Sequence, residues 1–392
     1  MRGHIVKRYK DSYTIVLNLG KDPSTGKPRQ QWISVKGTKK DAEKKLAELL
    51  HQLDTGNYTQ PSKMTLGEYL KRWLKDYVTP NLAPKTAEWY AYIVHTHIIP
   101  ALGNITLTQL RPEHLQRYYA DKLASGRNDG QGALSPQTVR HCHVTIHYAL
   151  ETAMKWGIIM RNPADAVMPP PIQRKQMQTW NESEVRCFLE EIKKSPYYAL
   201  FHLLLSSGMR RGEALALRWR DVDLTLCQVY VTRSLQHLKD GTFVFKQPKT
   251  ARGQRSIALP PATTLVLREH YEKQAEIMSR MGATLKEDDL VFCHSDGTPL
   301  QPSSITHAWE KLVKRSGLKY IRLHDARHTH ASLMLKQGIH PKIVQERLGH
   351  ASIQITLDTY SHVAAGLQEA AAMRFNEVFS MAVEDDAADE IH

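Results

Sequence analysis

The segment Met168-Pro-Pro-Pro-Ile172 constrains this chain more than any other. Proline lacks a backbone N–H and fixes φ, so three in a row can neither continue a helix nor sit in a central strand. Such runs favour extended, semi-rigid spacers, and the chain must fold as separate bodies on either side. A second break falls at Asp54-Thr-Gly-Asn-Tyr-Thr-Gln-Pro-Ser62, which is polar and turn-rich. The 392 residues therefore divide into units at 1–58, 63–168 and 173–380, with an acidic tail at 381–392.

In the first unit, Tyr13–Leu19 and Gln30–Val35 alternate like strands around a turn at Pro23 and Gly26. Thr38 then caps a helix to about Leu53, with Ala42, Leu46, Leu49, Leu50 and Leu53 spaced along one face. Lys and Arg outnumber Asp and Glu twelve to six over residues 1–58. A small basic sheet with one helix suits a reader of DNA, since a two-stranded ribbon fits the major groove. A solvated basic face on an accessory domain is the alternative.

The second unit reads as all-helical. Thr65 and Glu68 have capping-box spacing before Leu66, Tyr69, Leu70, Trp73 and Leu74. Pro84 opens a helix carrying Trp89, Tyr92 and Ile93, and a third runs from Arg111 to about Leu123. Ser135 followed by Pro136 is a cap and the favoured first helical residue. That fourth helix puts Val139, Ile146, Leu150 and Ala153 on one face, and Arg140, His141, His143 and His147 on the other. The basic face either clamps phosphates or simply faces water.

The formal net charge of +13 favours a polyanionic partner, of which nucleic acid is the commonest. Cys142, Cys187, Cys227 and Cys293 form no CxxC pair, which argues against a zinc cluster or a disulfide framework and fits a reducing interior. The opening MRGHIVKRYKDSY has no apolar stretch of a signal peptide, and no apolar run is long enough to span a membrane.

The third unit carries the chemistry. Asn181-x-x-Glu184 starts a helix, and an apolar helix near Tyr198–Ser206 ends at Gly208. Arg210 follows at the start of the next helix, with Glu213 one turn on and able to orient it. Strand-like stretches at Gln228–Thr232 and Phe243–Phe245 precede a cationic turn, Lys246 to Arg255, before a strand at Ser256–Leu259. This turn is either a hairpin tip that carries Lys249 into a groove or a solvated basic loop, and Lys249 shares it with Lys246, Arg252 and Arg255. His324 and Arg327, spaced i, i+3, share one helix face. Pro341 opens a helix that ends at Leu348-Gly349-His350, and Ser352 caps one running towards Tyr360.

Each motif is common alone. In this order, GxRxxE around Arg210, Pro-Lys-Thr at Lys249, HxxR at His324 and Arg327, Leu-Gly-His at His350 and a tyrosine ten residues on, the chain resembles the tyrosine recombinases of the phage integrase family. The resemblance covers essentially the whole chain. It implies an α+β, mainly α architecture. A small β-sheet-plus-helix arm-site DNA-binding domain (1–58) and a helical SAM-like core-binding domain (63–168) precede a mixed catalytic domain (173–380). It implies integration and excision of a mobile element through a 3′-phosphotyrosine on Tyr360. Arg210, Arg327 and His350 would hold the phosphate, His324 would accept the phenol proton, and Lys249 would protonate the leaving 5′-oxygen. No metal or cofactor is implied. The implied partners are double-stranded DNA at core and arm sites and a homotetramer on it, with an excisionase or host DNA-bending protein left open. The implied setting is the nucleoid in bacterial cytoplasm, away from membranes. The terminal segment Ala364–Met381 reads as an amphipathic helix that either docks on a neighbouring protomer or ends the chain.

Those residue types suit the reaction. Guanidiniums are permanently charged forks matched to phosphate oxygens, and charge grows on those oxygens during attack. A phenol with an ordinary pKa of about 10 needs a base. Two other classes remain. His324 and His328 are i, i+4, the spacing of a zinc-binding helix, but Asp325 stands where HExxH has Glu. A DNA-binding regulator would keep the basic units without needing Tyr360. A type IB topoisomerase shares the chemistry, but the N-terminal module favours site-specific pairing of DNA ends.

Overall fold

The computed structural model describes residues 3–9, 11–21, 26, 28–54, 63–127, 130, 132–172, 177–247, 253–357, 372–373 and 375–376. The chain forms two compact units, Met1–Gln173 and Arg174–His392.

The first unit contains two hydrophobic cores. One lies under a three-stranded antiparallel sheet, β1 (Gly3–Tyr9), β2 (Ser12–Lys21) and β3 (Pro28–Lys36), against α1 (Lys39–Asp54). The register aligns Ile5, Ile15 and Ile33 on the covered face, where they meet Leu46, Leu49 and Leu50 of α1. Sequence patterning expects two strands here. The third, β1, escapes notice because it is a short edge strand crowded with charge, including Lys7 and Arg8.

The other core is helical. The Thr65–Glu68 capping box is closed in both directions (2.8 and 3.2 Å) and opens α2 (Leu66–Trp73). That helix runs through a π-helical turn (Leu74–Val78) into α3 (Thr79–Asn81). Likewise α4 (Pro84–Ile93) continues through a π-helical turn (Val94–Ile98) into α5 (Ile99–Leu102). Both turns run into a proline, Pro80 or Pro100. A widened turn accommodates the missing N–H and the ring without ending the helix. Two longer helices, α6 (Pro112–Ser125) and α7 (Pro136–Lys155), complete the bundle. Trp73 lies at its centre, and the Tyr69 hydroxyl donates to the carbonyl of Ala149 at 2.5 Å.

The second unit is built on Trp180, Phe188, Phe201 and Trp309, with the two indoles stacked 5.4 Å apart. These aromatics draw together α8 (Glu182–Glu191), α9 (Tyr198–Ser207) and α12 (Pro302–Arg315). The short α10 (Arg211–Ala214) follows α9, and α11 (Pro261–Arg280) packs on it. Strands β4 (Val222–Asp223), β5 (Gln228–Val231) and β8 (Arg255–Ala258) form one antiparallel sheet in that order. The remaining pair, β6 (Ser234–His237) and β7 (Phe243–Lys246), forms a separate hairpin. The expected hairpin between β7 and β8 is therefore corrected: the strands flanking the cationic turn belong to different sheets. The polar β6, Ser-Leu-Gln-His, takes β7 as its partner and leaves β8 to β5. The unit continues with α13 (Asp325–Lys336), α14 (Pro341–Leu348) and a helical turn at 353–357. No helix among the described residues is long and apolar enough to cross a membrane.

Candidate active site

Helix ends build this site. Ser207-Gly208-Met209 closes α9 with Gly208 left-handed at φ +67°. Arg210 then caps α10 in extended conformation, so its side chain leaves the helix end. Gly212 lets α10 approach the β6 backbone, because a Cβ there would lie 2.8 Å from the carbonyl oxygen of Leu235. Glu213 is buried, and its Oε1 accepts from Arg210 Nη1 at 2.8 Å while its Oε2 accepts from the Arg210 amide at 3.0 Å. The same carboxylate accepts from Arg255 Nη2 at 2.8 Å. Burial pushes the Glu213 carboxyl up, but the hydrogen bond and charge of Arg255, together with Arg210, outweigh it and hold the group below its ordinary value.

Arg327 lies in the first turn of α13 and is only 3 % exposed. Its Nη1 donates to the Gly208 carbonyl (2.8 Å) and its Nη2 to the Leu348 carbonyl (2.5 Å). Both acceptors are carbonyls of helix ends, where the backbone lacks intrahelical donors and carries partial negative charge. His324 caps α13 and is open to solvent, with its ring edge-to-face with His328 at 5.2 Å. Water stripped from part of the ring, and then the Arg327 charge, hold the His324 pKa below its ordinary value. Arg210 acts on it in the same direction.

Gly349 ends α14 in left-handed conformation and turns the chain into His350. The His350 Nδ1 shares a hydrogen bond with the buried Thr356 hydroxyl at 2.9 Å, and Gln345 Nε2 donates to its carbonyl at 2.8 Å. Burial first, then Arg327 and Arg210, push its pKa down to about 4. Burial and His324 likewise take His328 down to about 4. Both imidazoles are neutral at pH 7.

Arg210, His324, Arg327 and His350 are thus drawn together from three helix ends, although His324 and Arg327 differ in exposure despite their i, i+3 spacing. Lys249 and Tyr360 lie outside the described residues. Sequence reading missed the scaffold behind these groups. Arg347 donates to His330 Nε2 (3.0 Å), the Ala258 carbonyl (2.8 Å) and the Ser206 carbonyl (3.1 Å), tying α13, β8 and α9 to α14. His330 therefore carries its proton on Nδ1, which faces the Leu205 carbonyl at 3.0 Å. Burial and Arg347 hold His330 down to about 3. Arg347 stands within Arg-Leu-Gly-His, but only the fold reveals what it reaches. Among the described residues no three His, Cys, Asp or Glu side chains group as metal ligands.

Chemically, the cluster pairs guanidiniums with neutral imidazoles, an arrangement suited to a tetrahedral oxyanion and to proton transfer beside it. Residues 178–367 match the phage integrase family, and residues 65–123 match the N-terminal SAM-like domain of phage integrases. A tyrosine recombinase XerC-like protein of Caldanaerobacter subterraneus subsp. tengcongensis is 26% identical over 392 residues, covering 95% of this chain and 98% of that one. The Tn1549 transposon integrase, solved in complex with a circular intermediate DNA, superposes with a TM-score of 0.65 at 19% identity over 78% of this chain and 99% of its own. A lambda integrase tetramer bound to a Holliday junction gives 0.54 at 19% identity, over 89% of this chain and 95% of that one. The chain belongs to the phage integrase family, the tyrosine recombinases that cut and rejoin DNA by strand transfer.

Proposed function

We propose that Arg210, Lys249, His324, Arg327, His350 and Tyr360 form one active site that integrates and excises a mobile element through a 3′-phosphotyrosine intermediate. The observation that carries this reading is the convergence of the Arg210 and Arg327 guanidiniums with the imidazoles of His324 and His350 at the ends of α9, α13 and α14. The Tyr360 hydroxyl attacks phosphorus, a tyrosyl O–P bond forms and the P–O5′ bond breaks. His324 takes the phenol proton and Lys249 supplies one to the leaving 5′-oxygen. Arg210, Arg327 and His350 hold the non-bridging oxygens, where each preorganised donor contributes about 10²–10³ in rate. A 5′-hydroxyl of a second strand then attacks the phosphotyrosine and reverses the sequence of bonds.

Residues 1–58 contact arm sites, residues 63–168 clamp the core site, and four protomers act together on two duplexes within the nucleoid. The basic sheet, the helical bundle and the tetrameric lambda integrase on a Holliday junction support this arrangement. An excisionase or host DNA-bending protein would set the direction of exchange.

The test is a nicked duplex carrying the element's end sequence, incubated with excess chelator. The wild type forms a denaturation-resistant protein–DNA adduct, and Tyr360→Phe forms none. Adduct formation by that variant would refute the assignment of the nucleophile, and its abolition by chelator would return the metallohydrolase reading.

A further inference from the structure

We propose that Arg255 is a positioning residue for strand cleavage, locking Arg210 and Arg327 into one rigid unit through Glu213 and the carboxyl end of α14. The inference rests on the reading of Arg210 and Arg327 as the phosphate-holding pair.

Arg255 begins β8, and its side chain is 6% exposed. Its Nη2 donates to Glu213 Oε2 at 2.8 Å and its Nη1 to Oε1 at 3.3 Å, a forked pair on one carboxylate. Arg210, whose side chain is 43% exposed, gives that carboxylate one side-chain hydrogen bond, from Nη1 to Oε1. Glu213 therefore serves two cations unequally. The buried Arg255 guanidinium takes both oxygens, and the exposed Arg210 guanidinium shares one, while the Arg210 amide reaches the other. Remove Arg255, and the buried carboxylate is left with Arg210 alone. The cheapest compensation is for Arg210 to fold back and take both oxygens, because an underpaired buried charge is expensive. The guanidinium would then be turned towards Glu213 and away from a phosphate.

The other end of Arg255 fixes the second arginine. Its Nε donates to the Arg347 carbonyl at 2.7 Å, and the next carbonyl along, Leu348, receives Arg327 Nη2. Two successive carbonyls at the end of α14 thus carry two guanidiniums. Hydrogen bonds run from Arg210 through Glu213 and Arg255 to the Arg347 carbonyl, and one residue of backbone joins that carbonyl to the Leu348 carbonyl held by Arg327. Lysine cannot reproduce it, because an ammonium lacks the planar fork that addresses Glu213 and Arg347 together.

The experiment compares single-turnover cleavage of two half-site duplexes. One carries the natural phosphodiester, and the other a neutral methylphosphonate at the scissile position, which lacks the charge the arginines hold. Arg255→Ala should bind the duplex within about 3-fold of wild type. It should cleave the phosphodiester about 10²-fold more slowly, the order expected for a misplaced group. On the methylphosphonate the gap should close to within about 10-fold. Arg255→Lys, which keeps the charge and guards against an unfolded alanine variant, should show the same pattern with a smaller defect. An equal defect on both substrates, or none on the phosphodiester, overturns the proposal. Arg210→Ala runs alongside. If it cleaves the phosphodiester at the wild-type rate, the phosphate-holding reading itself fails. If it is slow and rescued while Arg255→Ala is not, only the role of Arg255 is lost.

Discussion

Replacing Gly208 by alanine should damage both the stability of the second unit and its cleavage rate, and Gly317 supplies the control. Both glycines are left-handed, at φ +67° and +68°. A Cβ on Gly208 would lie 2.7 Å from His330 Cδ2 and 2.8 Å from Leu348 Cδ2, whereas one on Gly317 would meet nothing within 4 Å. The left-handed conformation costs about 1–2 kcal/mol for a residue with a side chain. Overpacking adds about 1–3 kcal/mol, and only at Gly208. Gly317→Ala should therefore lose about 1–2 kcal/mol and Gly208→Ala about 2–5 kcal/mol. At about 2–4 °C per kcal/mol for a unit of this size, Tm should fall by roughly 2–8 °C and roughly 4–20 °C respectively. The Gly208 carbonyl also receives Arg327 Nη1, so a shift of that turn should slow cleavage about 10²-fold. Gly317→Ala should leave the cleavage rate unchanged. Thermal unfolding and single-turnover cleavage measured on both variants decide the matter. Equal Tm losses would refute the steric argument, and wild-type cleavage by a destabilised Gly208→Ala would refute the coupling to Arg327.

Four further outcomes are expected. Thr65→Ala breaks the capping box of α2 and should cost about 1 kcal/mol in denaturant unfolding with no change in cleavage per folded molecule. Acid should destabilise the second unit. Because folding depresses the pKa of His328, His330 and His350, the unfolded chain binds more protons below about pH 6.5. Stability should be flat above that and fall by roughly 1–2 kcal/mol per imidazole by about pH 5, and a flat acid limb in titrated unfolding curves would contradict this. DNA affinity should fall steeply with salt, and deleting residues 1–58 should weaken integration while sparing core-site cleavage. A salt-independent affinity would remove the phosphate-clamp picture.

Local chemistry made much of this fold readable. The capping boxes at Thr65–Glu68 and Asn181–Glu184 and the Ser135–Pro136 start involve residues within one helical turn, and each forms as its spacing implies. The glycine stops at Gly208 and Gly349 are legible for the same reason. Partners distant in sequence were not. Pairing of β5 with β8 depends on β6 claiming β7, which the polar Ser234–His237 does not advertise. The π-helical turns before Pro80 and Pro100 keep helices intact where proline normally ends them. In the site, Arg210, His324, Arg327 and His350 stand in recognisable motifs, and Glu213 is one turn from Arg210. Arg255 and Arg347 look like two cations among 53 Lys and Arg residues, and only the fold gives them Glu213 and His330. Lys249 and Tyr360 rest on sequence alone.

The most direct measurement is therefore made on Tyr360. Trap the adduct on a half-site duplex, digest it with nuclease and protease, and locate the remaining nucleotide by mass spectrometry. A 3′-linked phosphate is expected on the tyrosine of Thr-Leu-Asp-Thr-Tyr-Ser-His362, with a free 5′-hydroxyl on the released strand. A nucleotide on another residue, or one linked through a 5′-phosphate, would contradict it.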